Sequence, residues 1–211
     1  MKSPIGLFII LLILSLFFVA YGNYLLNYEA LIYNFYLEKG IIEKADKLIE
    51  AKKKWEWIGY AIIPIIILLR SNFVAFCLSI GLFFYDMENK LKFKQFFRIA
   101  LLGEFVLVLV GFVKLVYFLF IKTNYTLQDI QQFYPLSFIN FLNIETIEPW
   151  LIYPLQTINL FEVGYFFVLV FGLHKLLQNK YWKSFEMVAL SYGSGLAIWI
   201  GLVMFLTLSL T

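Results

Sequence analysis

Residues 57–85 read WIGYAIIPIIILLRSNFVAFCLSIGLFFY, and the fold turns on how this stretch is divided. It exceeds the roughly 20 apolar residues that cross about 30 Å of hydrocarbon. Pro64 and the polar trio Arg70-Ser71-Asn72 interrupt it. As one helix, tilted or running out into the interface, it carries Arg70 near mid-membrane. An unpaired arginine there costs about 2.5 to 3.5 kcal/mol on insertion scales. As two segments, 57–69 and 73–85, each piece rises only about 20 Å and crosses only where the bilayer thins.

Four other runs meet the length criterion. They are 5–26; 99–121, which carries Glu104 and Lys114; 157–177, which carries Glu162, His174 and Lys175; and 185–210, with Glu186 at its start. The loop charges orient them through the excess of Lys and Arg on the cytoplasmic side. Lys90, Lys92, Lys94 and Arg98 mark 86–98 as cytoplasmic, and Lys175, Lys180 and Lys183 mark the turn after the fourth run. The 122–156 loop holds Lys122 against Asp129, Glu145 and Glu148, and faces outward. Residues 27–56 balance six lysines against six acids, so they do not decide whether the middle stretch is single or split. Counting only Lys and Arg favours the split; segment length favours one helix. The expectation is an all-α, polytopic helical integral membrane protein with five transmembrane helices, or six if the middle stretch divides.

Composition agrees with this class. The chain is 62% hydrophobic and 15% charged over 211 residues, against about half and about one quarter in a soluble domain. Mean hydropathy is +0.83. A net charge of +3 scattered among loops does not make a nucleic-acid surface. The single cysteine, Cys77, permits no internal disulfide and no zinc cluster. Lys2, the apolar run and Ala20-Tyr21-Gly22 resemble a signal peptide, but the run continues through Leu25-Leu26, so 1–26 is read as a retained first transmembrane helix. The abundance of Ile, Phe, Lys and Asn suits a low-GC bacterium, and the expected location is its inner membrane, as a multi-pass protein of the cell membrane.

Residues 27–56 read as an amphipathic juxtamembrane helical segment. Ile41, Ala45, Leu48 and Ile49 share one side, Glu43 and Lys47 form an i,i+4 pair, Gly40 breaks the segment in two, and Trp55 and Trp57 mark the interface. Two short helices lying on the membrane are expected. The remainder, 57–211, reads as a helical membrane bundle with an outward loop at 122–156. Within that loop Tyr134-Pro135-Leu136 followed by Ile139-Asn140 recurs as Tyr153-Pro154-Leu155 followed by Ile158-Asn159. Proline suits a first helical turn, so each copy reads as a helix start, the second opening the fourth span.

Buried charges and small-residue rows are the candidate functional features. Intramembrane charges are functional candidates when a partner can be named. Lys114 and Glu162 come out at similar depths from the outer end and are expected to pair, as are Arg70 and Glu104 if the middle stretch is one helix. These pairs either neutralise one another or form part of an ion or proton path. Ala189, Gly193, Ala197 and Gly201 set a small residue at every fourth position of the last span, a strip for close helix packing, with Ser191 and Gly195 beside it. Packing inside the chain is the expectation. His174 reads as an interfacial residue. No HExxH, GxSxG, paired-aspartate or phosphate-cradling pattern occurs. The chain is therefore read as non-enzymatic, with no catalytic, metal or cofactor residue.

From about residue 57 onward the chain resembles the Yip-type membrane domain, a small bundle of about five hydrophobic helices. The resemblance lies in Ile158-Asn159-Leu160-Phe161-Glu162 after an outward loop, in Gly172-Leu173 before a short basic turn, and in the glycine-bearing last span. The first 56 residues fall outside it. Members of that family are non-enzymatic and serve trafficking or partner recruitment, so the resemblance implies a scaffold or accessory role and assigns no catalytic residue. Membrane lipids and other membrane proteins are the expected partners. The competing expectation is a small transporter or channel component using Arg70, Glu104, Lys114 and Glu162.

Overall fold

The computed structural model describes residues 3–83, 85 and 91–210. Helices account for its regular structure: α1 (Pro4–Leu25), α2 (Tyr28–Glu38), α3 (Ile42–Phe83), α4 (Phe93–Val116), α5 (Leu127–Gln132), α6 (Pro149–Thr157), α7 (Leu160–Leu177), α8 (Tyr181–Val188) and α9 (Ser194–Leu210). A π-helical turn, Tyr117–Ile121, extends α4, and another, Ala189–Gly193, joins α8 to α9. Five helices are long and apolar enough to cross a membrane: α1, most of α3, α4 with its π turn, α7, and the continuous rod Tyr181–Leu210.

The middle stretch is one helix. Pro64 lies inside α3 without ending it, and Asn72 returns its side-chain amide to the Leu68 carbonyl at 2.8 Å. The trio that read as a turn thus stays helical, and the six-span division does not occur. At 1.5 Å per residue, α3 is about 63 Å long, twice the hydrocarbon thickness. The excess lies at its N-terminus. Residues 42–56 are therefore not a separate helix, as their amphipathic pattern predicts, but the N-terminal end of a rod that continues into the apolar stretch. The chain reverses at Gly40, whose φ of +71° is in the left-handed region open to glycine. α2 then packs back along α3, with Glu29 Oε2 3.2 Å from Lys53 Nζ and the Lys44 and Lys52 ammoniums over the rings of Tyr36 and Tyr28. The result is a helical hairpin.

The main core joins four helices. Val74, Leu78 and Leu82 of α3, Ile99 and Ala100 of α4, Leu169 and Leu173 of α7, and Met187 of α8 belong to one buried cluster. Small residues set the helix spacing. A Cβ on Gly172 would sit 2.7 Å from Ile99 Cγ2, and one on Gly195 2.6 Å from Cys77 Sγ. α1 lies against α3 and α4 through Leu7, Leu11, Ile67 and Leu101.

Between α4 and α7 the chain builds a folded cap rather than a loose loop. Phe118, Leu115, Leu26 and Ile130 form its apolar base, and the Tyr117 ring stacks on Phe133 at 4.0 Å. α5 begins with a reciprocal cap between Thr126 and Asp129, and Lys122 Nζ reaches Asp129 Oδ1 at 2.6 Å. The two similar segments, 134–140 and 153–159, are bonded to each other through their backbones and flanking residues. Phe138 N–H donates to the Ile158 carbonyl at 2.9 Å, Leu160 N–H donates to the Leu136 carbonyl at 3.2 Å, and the buried Ser137 hydroxyl reaches the carbonyls of Leu155 and Gln156. Only partly are they helix starts. The first copy leads into a short 3-10 turn, Phe138–Phe141, whereas in the second Tyr153 and Pro154 lie inside α6. α6 begins at Pro149 instead, where proline's missing N–H costs no helical bond.

Candidate functional site: an arginine–diglutamate cluster between helices

Halfway along the apolar stretch of α3, Arg70 projects between α4 and α7. Its Nε lies 3.4 Å from Glu104 Oε1, and its Nη2 lies 3.4 Å from Glu162 Oε2. The guanidinium carbon stands 5.2 Å from the centroid of the Tyr165 ring, within cation–π range. Tyr165 O–H donates to Glu104 Oε1 at 3.4 Å, and Tyr192 O–H donates to Glu162 Oε1. The carboxylates are more enclosed than the guanidinium, with side chains 7% exposed for Glu104 and 14% for Glu162, against 38% for Arg70. Five side chains from α3, α4, α7 and the π turn before α9 thus meet at one place.

Local sequence explains each contribution. Glu162 and Tyr165 are three residues apart on α7 and share a face. Asn159 caps that helix, its Oδ1 accepting the Glu162 N–H at 2.7 Å, which sets Glu162 in the first turn, where the helix dipole favours an anion. Gly103, adjacent to Glu104, is the reason Tyr165 fits: a Cβ there would lie 2.7 Å from Tyr165 Cε2. The π turn Ala189–Gly193 closes a wider ring than an α-helix and leaves both Ser191 and Tyr192 buried.

Arg70, Glu104 and Glu162 are therefore brought together, and Lys114 is not. The expected Lys114–Glu162 pair does not form: the Lys114 ammonium lies over the Tyr134 ring, 5.6 Å from its centroid. The reason is depth. Lys114 lies ten residues beyond Glu104 on α4, about 15 Å farther along the axis. Glu162 is level with Glu104, because α7 begins only at Leu160 and its first turn already sits beside Arg70. The upstream residues that read as the start of this span belong to α6 and its exit. Tyr165 and Tyr192 escape sequence reasoning, since membrane tyrosines read as interface anchors by default. Tyr165, three residues from Glu162 and far inside its span, carried the available signal.

The strip on the last span also departs from expectation. Ala197 and Gly201 are exposed, and a Cβ on Gly193 or Gly201 would meet no other atom within 4 Å. The neighbouring row is the one that packs inside the chain, where a Cβ on Gly81 of α3 would collide with Ser191 and Gly195 faces Cys77. A cavity of about 380 Å³ opens beside this contact, lined by Phe73, Phe76, Cys77, Ile80, Leu190 and Ile198 among others, and by no member of the charged cluster. Among the described residues no group of three His, Cys, Asp or Glu side chains is placed to hold a metal ion. His174 meets the Tyr181 ring edge-on at 5.7 Å.

No family model matches the chain, and neither a curated protein nor a solved structure matches it.

Proposed function

We propose that this chain is a non-enzymatic integral membrane protein that acts as a subunit or scaffold of a membrane complex, in the inner membrane of a bacterial cell. The observation that carries this reading is the row Gly193, Ala197 and Gly201: the spacing suits close helix packing, yet among the described residues no atom of another helix comes within 4 Å of a Cβ at Gly193 or Gly201, and Ala197 is exposed. A transmembrane helix of another protein is the occupant proposed. The α2–α3 hairpin adds a second contact element, since residues 42–56 extend about 22 Å beyond the apolar stretch. The loop charges orient the 122–156 cap and the C-terminus outward and the 86–98 loop and the turn after α7 inward, and with a single middle helix the hairpin follows outward. The Yip-type resemblance implies the same class of role.

The test is mild purification from native membranes followed by mass spectrometry, with the wild type beside Gly193→Leu and Gly201→Leu. A stoichiometric membrane partner that the leucine variants release, with their own fold intact, supports the reading. A lone chain in all three preparations overturns it. The second reading, a small transporter or channel component, draws on the convergence of three intramembrane charges at one site. Against it stands the packing of that site, which lines neither the cavity beside Gly195 nor the one under the cap lined by Tyr117, Lys122 and Asp129.

A further inference from the structure

We infer that the Arg70–Glu104–Glu162 cluster is a binding site for a single proton, carried on Glu104. The inference rests on a count of charges around one guanidinium, with Glu104 buried and Arg70 and Glu162 half-buried. One guanidinium faces two carboxylates, each 3.4 Å from it. Among the described residues the other polar groups that face the cluster are Tyr165 of α7 and Tyr192 of the π turn, neutral hydroxyls that donate to the carboxylates and add no positive charge. With both acids ionised the site holds one uncompensated negative charge. A buried charge without a partner costs several kcal/mol, and two carboxylates that share a site resolve the conflict by retaining a proton.

The contacts say which acid holds it. Glu162 uses both oxygens as acceptors, Oε2 from Arg70 and Oε1 from Tyr192, and it occupies the first turn of α7, where the helix dipole favours an anion. Glu104 lies mid-helix, is the more enclosed of the two, and receives both its contacts on Oε1. Its Oε2 is the oxygen that takes the proton. In that form the cluster is neutral: one ion pair, Arg70 with Glu162, beside one carboxylic acid. The site is independent of the proposed scaffold role.

Infrared spectroscopy of the purified full-length chain in lipid nanodiscs tests this through the C=O stretch of a protonated carboxyl. At neutral pH the wild type should show this band, with an intensity of about one carboxyl per chain. Glu104→Gln, which keeps the neutral form, should lose the band and hold the wild-type melting temperature. Glu162→Gln should lose it as well, because Glu104 is then the only counter-ion of Arg70. The melting temperature of the wild type should fall as pH rises and the proton leaves, and that of Glu104→Gln should stay level. Absence of the band in the wild type at neutral pH would falsify the proposal, whether or not the variants fold. A band that survives both substitutions belongs to another carboxyl and also overturns it.

Discussion

Gly81 and Gly111 are both glycines within apolar helices, and their surroundings make opposite demands. At Gly81 a side chain would drive α3 away from Ser191 on the π turn, and Ser191 is itself buried. Gly81→Val should therefore cost about 1 to 3 kcal/mol by overpacking, read as a lowered melting temperature in detergent. At Gly111 a Cβ meets nothing within 4 Å, so Gly111→Ala should be neutral or raise stability by up to about 1 kcal/mol. In sequence the two positions look alike. Arg70, Glu104 and Glu162 were legible as candidates because a charge in an apolar run is conspicuous. Tyr165 and Tyr192 were not, because a tyrosine in a membrane protein usually needs no such explanation.

The start of α7 is the element whose position matters most, since its first turn carries Glu162 to the depth of Arg70. Asn159 holds that start. Asn159→Ala should cost about 0.5 to 2 kcal/mol and speed amide exchange in the first turn of α7, while Asn159→Asp should keep the cap. The cap element α5 has a pH dependence of its own. The Lys122 ammonium bonded to Asp129, together with the Thr126 N–H and hydroxyl, holds that carboxyl below the usual range despite partial burial. A depressed acid contributes stability above its unfolded value and loses it as pH falls through its folded value. Acidification into and below the usual carboxylate range should thus loosen residues 122–133 first, seen as faster hydrogen exchange there. Asp129→Asn should abolish that pH step.

For the whole molecule the five candidate spans imply an alternation that cysteine labelling can read. In a Cys77→Ser background, Lys44→Cys on the hairpin should react with an impermeant reagent from outside intact cells. Lys180→Cys, at the turn after α7, should react only after the membrane is opened. Labelling of both from the same side would contradict a single middle helix and the arrangement built on it. The hairpin shows how a correct local pattern can mislead at this scale. Residues 42–56 have the helical spacing of an interfacial helix, and they are helical, but they join the apolar stretch behind them without a break because neither Trp55 nor Trp57 ends a helix.

The all-helical architecture and the approximate places of five helices long and apolar enough to cross a membrane followed from the chain alone. Transfer into hydrocarbon is a property of each segment, and run length and charge within the segment decide it. Whether 57–85 was one helix or two stayed open there, since insertion cost depends on what meets Arg70, and its partners lie 34 and 92 residues away on α4 and α7. The row of small residues that packs inside, the depth at which α7 starts, and the bonding of the two Tyr-Pro segments to each other were likewise decided by tertiary structure. Each depends on the rotation and offset of one helix against another, and those quantities arise only when the faces of several helices compete for the same core.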